Sequence, residues 1–311
     1  MHLIQNYIHN LMENLPKKEE PENINLILDG GAFNGSYLIG ALYFLKEMEK
    51  QQHLTIHKIS CCSIGSVCAL IYHINALDLI PELYNIILNQ FKEHRNLGAF
   101  DTCIARMKLR IAEDKIDTTD LCEKLNNRIY ISYYNISKGK KIVKSKYRNI
   151  DELFETIYKS CFVPFIVNGD IVYKNRFCDG MTPYIFPWES GKKILYLDLF
   201  GTDKVCYVLS VKNEKTNFHR ILAGLLDVHL FYIKQCNSTQ MCSYINKWSL
   251  LQLFYYKIVK MCAEKTFFYT VYFIFYLKQV VPDEIYENII FKILTKIIKS
   301  AYIALVDYYC L

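Results

Sequence analysis

No stretch of this 311-residue chain stays apolar for the twenty or so positions a membrane-crossing helix needs; the longest candidate, Phe267 to Leu277, falls well short. The first residues, Met1 to Ile8, carry neither a basic start nor a continuous apolar segment, so secretion through a signal peptide is not expected. No C-x-x-C pair and no Cys/His cluster has zinc spacing, and neither a metal nor an organic cofactor is expected. The 12 cysteines sit in scattered apolar contexts such as Cys68, Cys122, Cys206 and Cys262. They read as reduced thiols of a cytoplasmic protein rather than a disulfide framework. Glycine is also scarce, 12 residues against 25 tyrosines, a bias that suits an A/T-rich coding genome. The net charge of +6 comes with no nucleic-acid-binding motif, leaving a membrane surface as the partner it fits.

With 52% hydrophobic and 22% charged residues, the chain can bury a large core as one domain or as a domain with an appendage. Residues 1 to about 14 read as a short amphipathic helix, followed by a polar linker with Pro16 and Pro21. An α/β unit is expected over 21–215, and a helical region over 216–311. Within the α/β part, a helix should follow Asp117–Asp120, and Ile129 to Tyr134 alternates as a strand does. A helix pair is expected over Leu77 to Arg95, broken near Pro81.

Two short segments carry the chemistry. Leu26–Leu28 leads into Asp29-Gly30-Gly31-Ala32-Phe33-Asn34-Gly35, and Ile59–Cys62 leads into Ser63-Ile64-Gly65. Each is an apolar run that breaks into small residues and then into a helical pattern, so both loops should leave the same edge of a sheet, where α/β proteins place their sites. A serine is a useful nucleophile when a sharp strand-to-helix turn exposes it near a helix start, and the turn needs small neighbours. Cys61 and Gly65 flank Ser63 at those two positions. Taken alone, Ser63 could equally be a helix N-cap with a packing glycine. The amides of Gly30, Gly31 and Ala32, at the start of a helix expected from Ser36 to about Lys50, suit a phosphate or an oxyanion. A dinucleotide site would need its acidic ribose partner at Glu47 or Glu49, inside that helix.

A third segment, Arg176-Phe177-Cys178-Asp179-Gly180-Met181, ends a hairpin-like stretch, and its Asp-Gly pair could turn a carboxylate inward or serve only as a turn. In this order the three pieces resemble the patatin-like phospholipases over about residues 24–185, with Tyr158-Lys159-Ser160-Cys161-Phe162-Val163-Pro164 as a fourth match. The resemblance implies a three-layer α/β sandwich with a mainly parallel sheet. It also implies a dyad of Ser63 as nucleophile and Asp179 as base, an oxyanion hole around Gly31 and Ala32, and a phospholipid or other acyl-lipid substrate. Three positions depart from the family pattern: Cys61 for the elbow glycine, Asn34 for a basic residue, and Met181 for a glycine after the aspartate. The competing reading is a degenerate lipid-binding or scaffolding protein on the same fold. A histidine triad would have to use His219 or His229, which follow Asp179 in the chain, but the elbow comes too early for that pattern.

Three basic or aromatic segments bear on a peripheral membrane contact. Lys138 to Arg148 holds six cations in an expected hairpin, suited to anionic lipid or to a solvated edge strand. Phe267–Leu277 is rich in Phe and Tyr, with burial against neighbouring C-terminal helices the ordinary expectation. From Glu284 to about Tyr309, Ile285, Ile289, Ile293, Ile297 and Ala301 fall at helical spacing, with Lys292, Lys296 and Lys299 on another face.

Overall fold

A computed structural model describes residues 2–16, 20–201, 203–212, 214–282, 285 and 289–311. Seven strands form one mixed, mostly parallel sheet: β1 (Glu22–Leu28), β2 (Leu54–Cys62), β3 (Ile129–Asn135), β4 (Lys140–Lys144), β5 (Phe177–Asp179), β6 (Lys193–Leu197) and β7 (Cys242–Tyr244). Their order is β4-β3-β2-β1-β6-β7, with β5 also paired to β3. β1 lies between β2 and β6 and runs parallel to both, which explains why Ile24 to Leu28 carries no alternation and is wholly buried.

The two faces of the sheet are covered unequally. Leu26, Leu28, Ile59, Cys61, Ile131 and Leu195 share one face and pack under the helices in a single continuous core. Those helices include α1 (His2–Met12), α2 (Gly35–Lys50), α3 (Ile64–His73), α4 (Ile80–His94), α5 (Phe100–Glu113), α6 (Thr118–Leu125), α7 (Ile150–Cys161) and α8 (Phe218–Ile233). On the other face Ile27, Ile194 and Tyr196 meet Phe186, Trp248 and Tyr256. That cover is a loop and the start of the C-terminal helices.

Helix boundaries follow local chemistry. Asp117 caps α6 by accepting the Thr119 amide at 2.8 Å, and Asn149 caps α7 by accepting the Glu152 amide at 2.9 Å. Pro81 does not break a helix; it sits in the first turn of α4, after a short 3₁₀ turn at Leu77–Leu79. α2 and α8 cross closely because both carry glycine there: a Cβ on Gly40 would lie 1.8 Å from the Ile221 carbonyl oxygen, and one on Gly224 1.9 Å from that of Tyr37.

Beyond residue 215 the chain is not simply helical. α8 belongs to the main core, and β7 pairs antiparallel with β6 at the sheet edge. There follow α9 (Leu250–Phe254), a π-helical turn (Tyr255–Lys260), α10 (Met261–Val280) and α11 (Ile289–Tyr309). Among the described residues, α10 packs through Phe268 and Val271 on Tyr134, Ile136, Val172 and Cys178, the β3 and β5 side of the sheet rather than the C-terminal helices the sequence suggests. Positions 284 and 286–288 of the expected last helix, position 283 before it, and 17–19 of the linker lie outside the described residues.

Candidate active site

β1 and β2 end side by side, Leu28 opposite Cys61, so the glycine loop and the serine turn leave the sheet at the same edge. Ser63 adopts φ 48° and ψ −132°, a strained backbone for a side chain-bearing residue, at the start of α3. Gly65 makes that turn possible, because a Cβ there would stand 2.7 Å from the Asp29 carbonyl oxygen and 2.8 Å from that of Leu28. Cys61 is fully buried under the helices, its thiol pointing to the Tyr130 carbonyl at 3.5 Å. The extra side chain expected to disturb the turn is thus taken up by the core.

Asp179 reaches Ser63 through strand geometry. β2 pairs with β3 only as far as Cys62 opposite Ser132. The next residue of β3, Tyr133, is opposite Asp179 of β5. β4 occupies the other edge of β3 at those positions, so β5 takes the slot that β2 vacates, and Asp179 follows directly on from the serine turn. The Gly180 position requires glycine: a Cβ would fall 2.1 Å from the Ser132 carbonyl oxygen. The glycine loop closes the third side. A Cβ on Gly30 would lie 3.1 Å from Ser63 Cβ and 3.7 Å from the Met181 carbonyl oxygen.

The Asp179 carboxylate is buried. Its Oδ1 accepts the Met181 amide at 2.7 Å. Oδ2 has no fully formed hydrogen bond, yet the Ser63 hydroxyl is near enough to lower the carboxyl pKa. Burial outweighs that effect and the Met181 amide, and pushes the carboxyl up to about 6.

Within the glycine loop, Gly31 (φ 149°) and Ala32 (φ 42°) turn through positive φ, as in backbone nests that gather N–H groups. The Gly30 amide is already engaged by Asp29 Oδ1 at 3.0 Å. The Phe33 amide donates to Val208 O, and the Asn34 amide to Gly31 O. Among the described residues, the Gly31 and Ala32 amides have no such partner, so they are the free donors.

A cavity of about 110 Å³ opens beside Ser63 and Ala32. Ile39, Val67, Ile80, Leu83, Leu97 and Phe100 are among the side chains that make it almost wholly apolar. Among the described residues, no histidine lines it. His219 lies 3.4 Å from Glu214, and His229 packs edge-on against Phe44.

No protein-family model matches the chain. Among curated proteins it is similar to omega-hydroxyceramide transacylase of Mus musculus, 25% identical over 149 residues, and to the protein of the same name from Homo sapiens, 23% identical over 155 residues. These matches cover 47% and 49% of this chain but 25% and 29% of the relatives, so the chain spans about a quarter of their length.

Four groups of polar contacts that sequence reasoning did not find hold these loops. Ser160, on α7, accepts the Ser63 amide at 2.9 Å and donates to the Ser132 carbonyl at 2.7 Å. Asn34 donates to the Leu199 and Lys204 carbonyls and accepts from Arg220 at 2.7 Å. Arg220 is fully buried, with its remaining N–H groups on Glu214, Tyr207 O and Ser210 O. Lys260, at the end of the π-helical turn, ion-pairs with the fully buried Asp29 and lies 3.3 Å from Asp198. Burial pushes the Asp29 carboxyl up to about 7, against the pull of Lys260. Lys260 itself stays protonated, because Asp29 and Asp198 outweigh its own burial. One turn on, Glu264 accepts the Thr182 hydroxyl at 2.5 Å and Lys141 Nζ at 2.9 Å.

Proposed function

We propose that this protein is a patatin-like acyl hydrolase that cleaves fatty-acyl esters of lipids. Ser63 Oγ attacks the ester carbonyl while Asp179 Oδ2 takes its proton, and the Gly31 and Ala32 amides receive the negative oxygen of the tetrahedral intermediate. Collapse of that intermediate expels the alcohol, to which Asp179 returns the proton. Water then attacks the acyl-serine, giving its proton to Asp179, and as the second tetrahedral intermediate collapses Asp179 returns that proton to Ser63 Oγ and the fatty acid leaves. The apolar cavity beside Ser63 would hold the acyl chain. No metal or organic cofactor enters this scheme.

One observation carries the reading: a strained serine at a helix start lies near enough to a buried carboxylate to lower its pKa, with two free amides in the adjoining glycine loop. The resemblance to lipid transacylases supports acyl transfer from a lipid, and it makes a lipid hydroxyl the alternative acceptor to water.

A fluorophosphonate probe tests the proposal. It should label the wild type and not Ser63→Ala, and Asp179→Asn should keep its circular dichroism while losing ester turnover. Absence of labelling in the folded wild type would favour a degenerate lipid-binding protein. Free acid versus transferred acyl product, separated by chromatography, decides the acceptor.

A further inference from the structure

Where the π-helical turn runs on into α10, one stripe of side chains faces the sheet. Tyr256 packs on Tyr196, and Phe268 and Val271 pack with Tyr134 and Cys178. Between them on the same stripe stand Lys260 and Glu264, of opposite charge and only 8% and 7% exposed. Burying a charge is costly unless it is paired, and well-packed apolar side chains often serve stability as well or better. What two buried charges add is a fixed partner for each.

The partners belong to the two loops of the site. Lys260 Nζ donates to Asp29 Oδ2, to the Tyr196 hydroxyl at 2.5 Å and to Asp198 Oδ1 at 3.3 Å. The Tyr196 hydroxyl donates to the same Asp29 oxygen at 2.9 Å, while the other oxygen of Asp29 accepts the Gly30 amide. The ammonium is therefore one carboxylate away from the glycine loop, with Gly31 and Ala32 next in line. Glu264 accepts the Thr182 and Tyr134 hydroxyls and Lys141 Nζ, and Lys141, a cation of the 138–148 hairpin, also donates to Thr182 Oγ1 at 2.6 Å. Thr182 directly follows Met181, whose amide Asp179 Oδ1 accepts. Residues four apart on a helix stand about 6 Å from each other, so a single turn spans from the oxyanion loop to the loop of the base.

We propose that Lys260 and Glu264 are positioning residues, a clamp that sets the glycine loop against the Asp179 loop and so makes the C-terminal helical segment part of the catalytic unit. The catalytic consequence rests on the hydrolase reading, whereas the clamp itself can be measured without turnover.

The experiment joins amide hydrogen exchange, read by mass spectrometry on the full-length chain, to kinetics on a soluble ester. Lys260→Met should speed exchange over residues 29–35 and leave 179–184 at the wild-type rate; Glu264→Ala should do the reverse, with α6 unchanged in both. In each variant kcat should fall roughly tenfold or more while KM stays within about twofold, because neither residue lines the apolar cavity. If Lys260→Met fails to fold for want of a partner for Asp29, Asp29→Asn combined with Lys260→Met removes both charges and takes its place, with the same results expected. Unchanged exchange at a variant's own loop would overturn the proposal. So would a lowered melting temperature with kcat intact, which leaves these charges to stability alone. Fluorophosphonate labelling of the wild type tells the two readings apart: local loosening without any labelling keeps the clamp and removes the hydrolase, and labelling without local loosening does the opposite.

Discussion

The Ser63 amide donates to the Ser160 hydroxyl at 2.9 Å, and that hydroxyl donates in turn to the Ser132 carbonyl at 2.7 Å. One small side chain thus ties the serine turn to β3, the strand on which β5 and its Asp179 pair. The next residues reinforce the tie, since the Asp179 amide donates to the Phe162 carbonyl at 2.8 Å.

Ser160→Ala removes this bridge and leaves two buried backbone groups unpaired, at a cost of about 1–3 kcal/mol. If the cost falls on the strained turn, turnover of a soluble ester drops roughly 10- to 100-fold. Kinetics beside a thermal melt check this. A full rate with a lowered melting temperature would show that Ser160 serves stability alone.

The pH profile should report Asp179. A general base acts only when ionised, and this carboxyl ionises around pH 6 because burial raises it. Hence kcat/KM should be level above about pH 7 and fall roughly tenfold per unit below about 6. The carboxyl's pKa is higher folded than unfolded, so its contribution favours the folded state at low pH and is lost as pH rises through about 6. Unfolding driven by this group therefore does not explain an acid limb. A rate unchanged down to about pH 4, near the ordinary carboxylate value, would count against Asp179 as base.

Val67 lines the apolar cavity beside Ser63. Val67→Phe should fill part of it and shift the preferred ester toward shorter acyl chains, with the short-chain rate least affected. Comparing kcat/KM over an ester chain-length series tests this, and an unchanged profile would place the acyl chain elsewhere.

Asn34 spends both amide N–H groups and its oxygen on Leu199, Lys204 and Arg220. Asn34→Ala should cost about 1–3 kcal/mol by leaving a buried guanidinium N–H unpaired. It should also lower kcat more than it raises KM, because the loop it anchors holds the Gly31 and Ala32 amides. Urea unfolding and steady-state kinetics separate the two effects.

The two loops at the strand ends were legible because each joins a buried apolar run to a glycine-containing turn and then a helical pattern, all within a few residues. Asp179 was legible as a candidate, but its proximity to Ser63 comes from a three-residue strand filling the slot β2 leaves on β3. β7, also three residues, shows no readable alternation, so the region past 216 reads from sequence as almost wholly helical. The aromatic run at 267–277 was expected to be buried among C-terminal helices; it is instead split between a face on β3 and β5 and a face toward solvent. Ser160 was visible within a matching string, yet nothing in the string shows that its hydroxyl holds the serine turn.

By itself the sequence determined the parallel core, the placing of the serine turn and glycine loop at one sheet edge, and the supply of an aspartate downstream, since hydrophobic pattern and turn chemistry act locally. Only the tertiary structure decided which charges hold that edge. Lys260 meets Asp29 across 231 positions and Arg220 meets Asn34 across 186. Such pairs depend on where helix ends come to rest on the sheet, and buried charges are stable only where that packing supplies their partners.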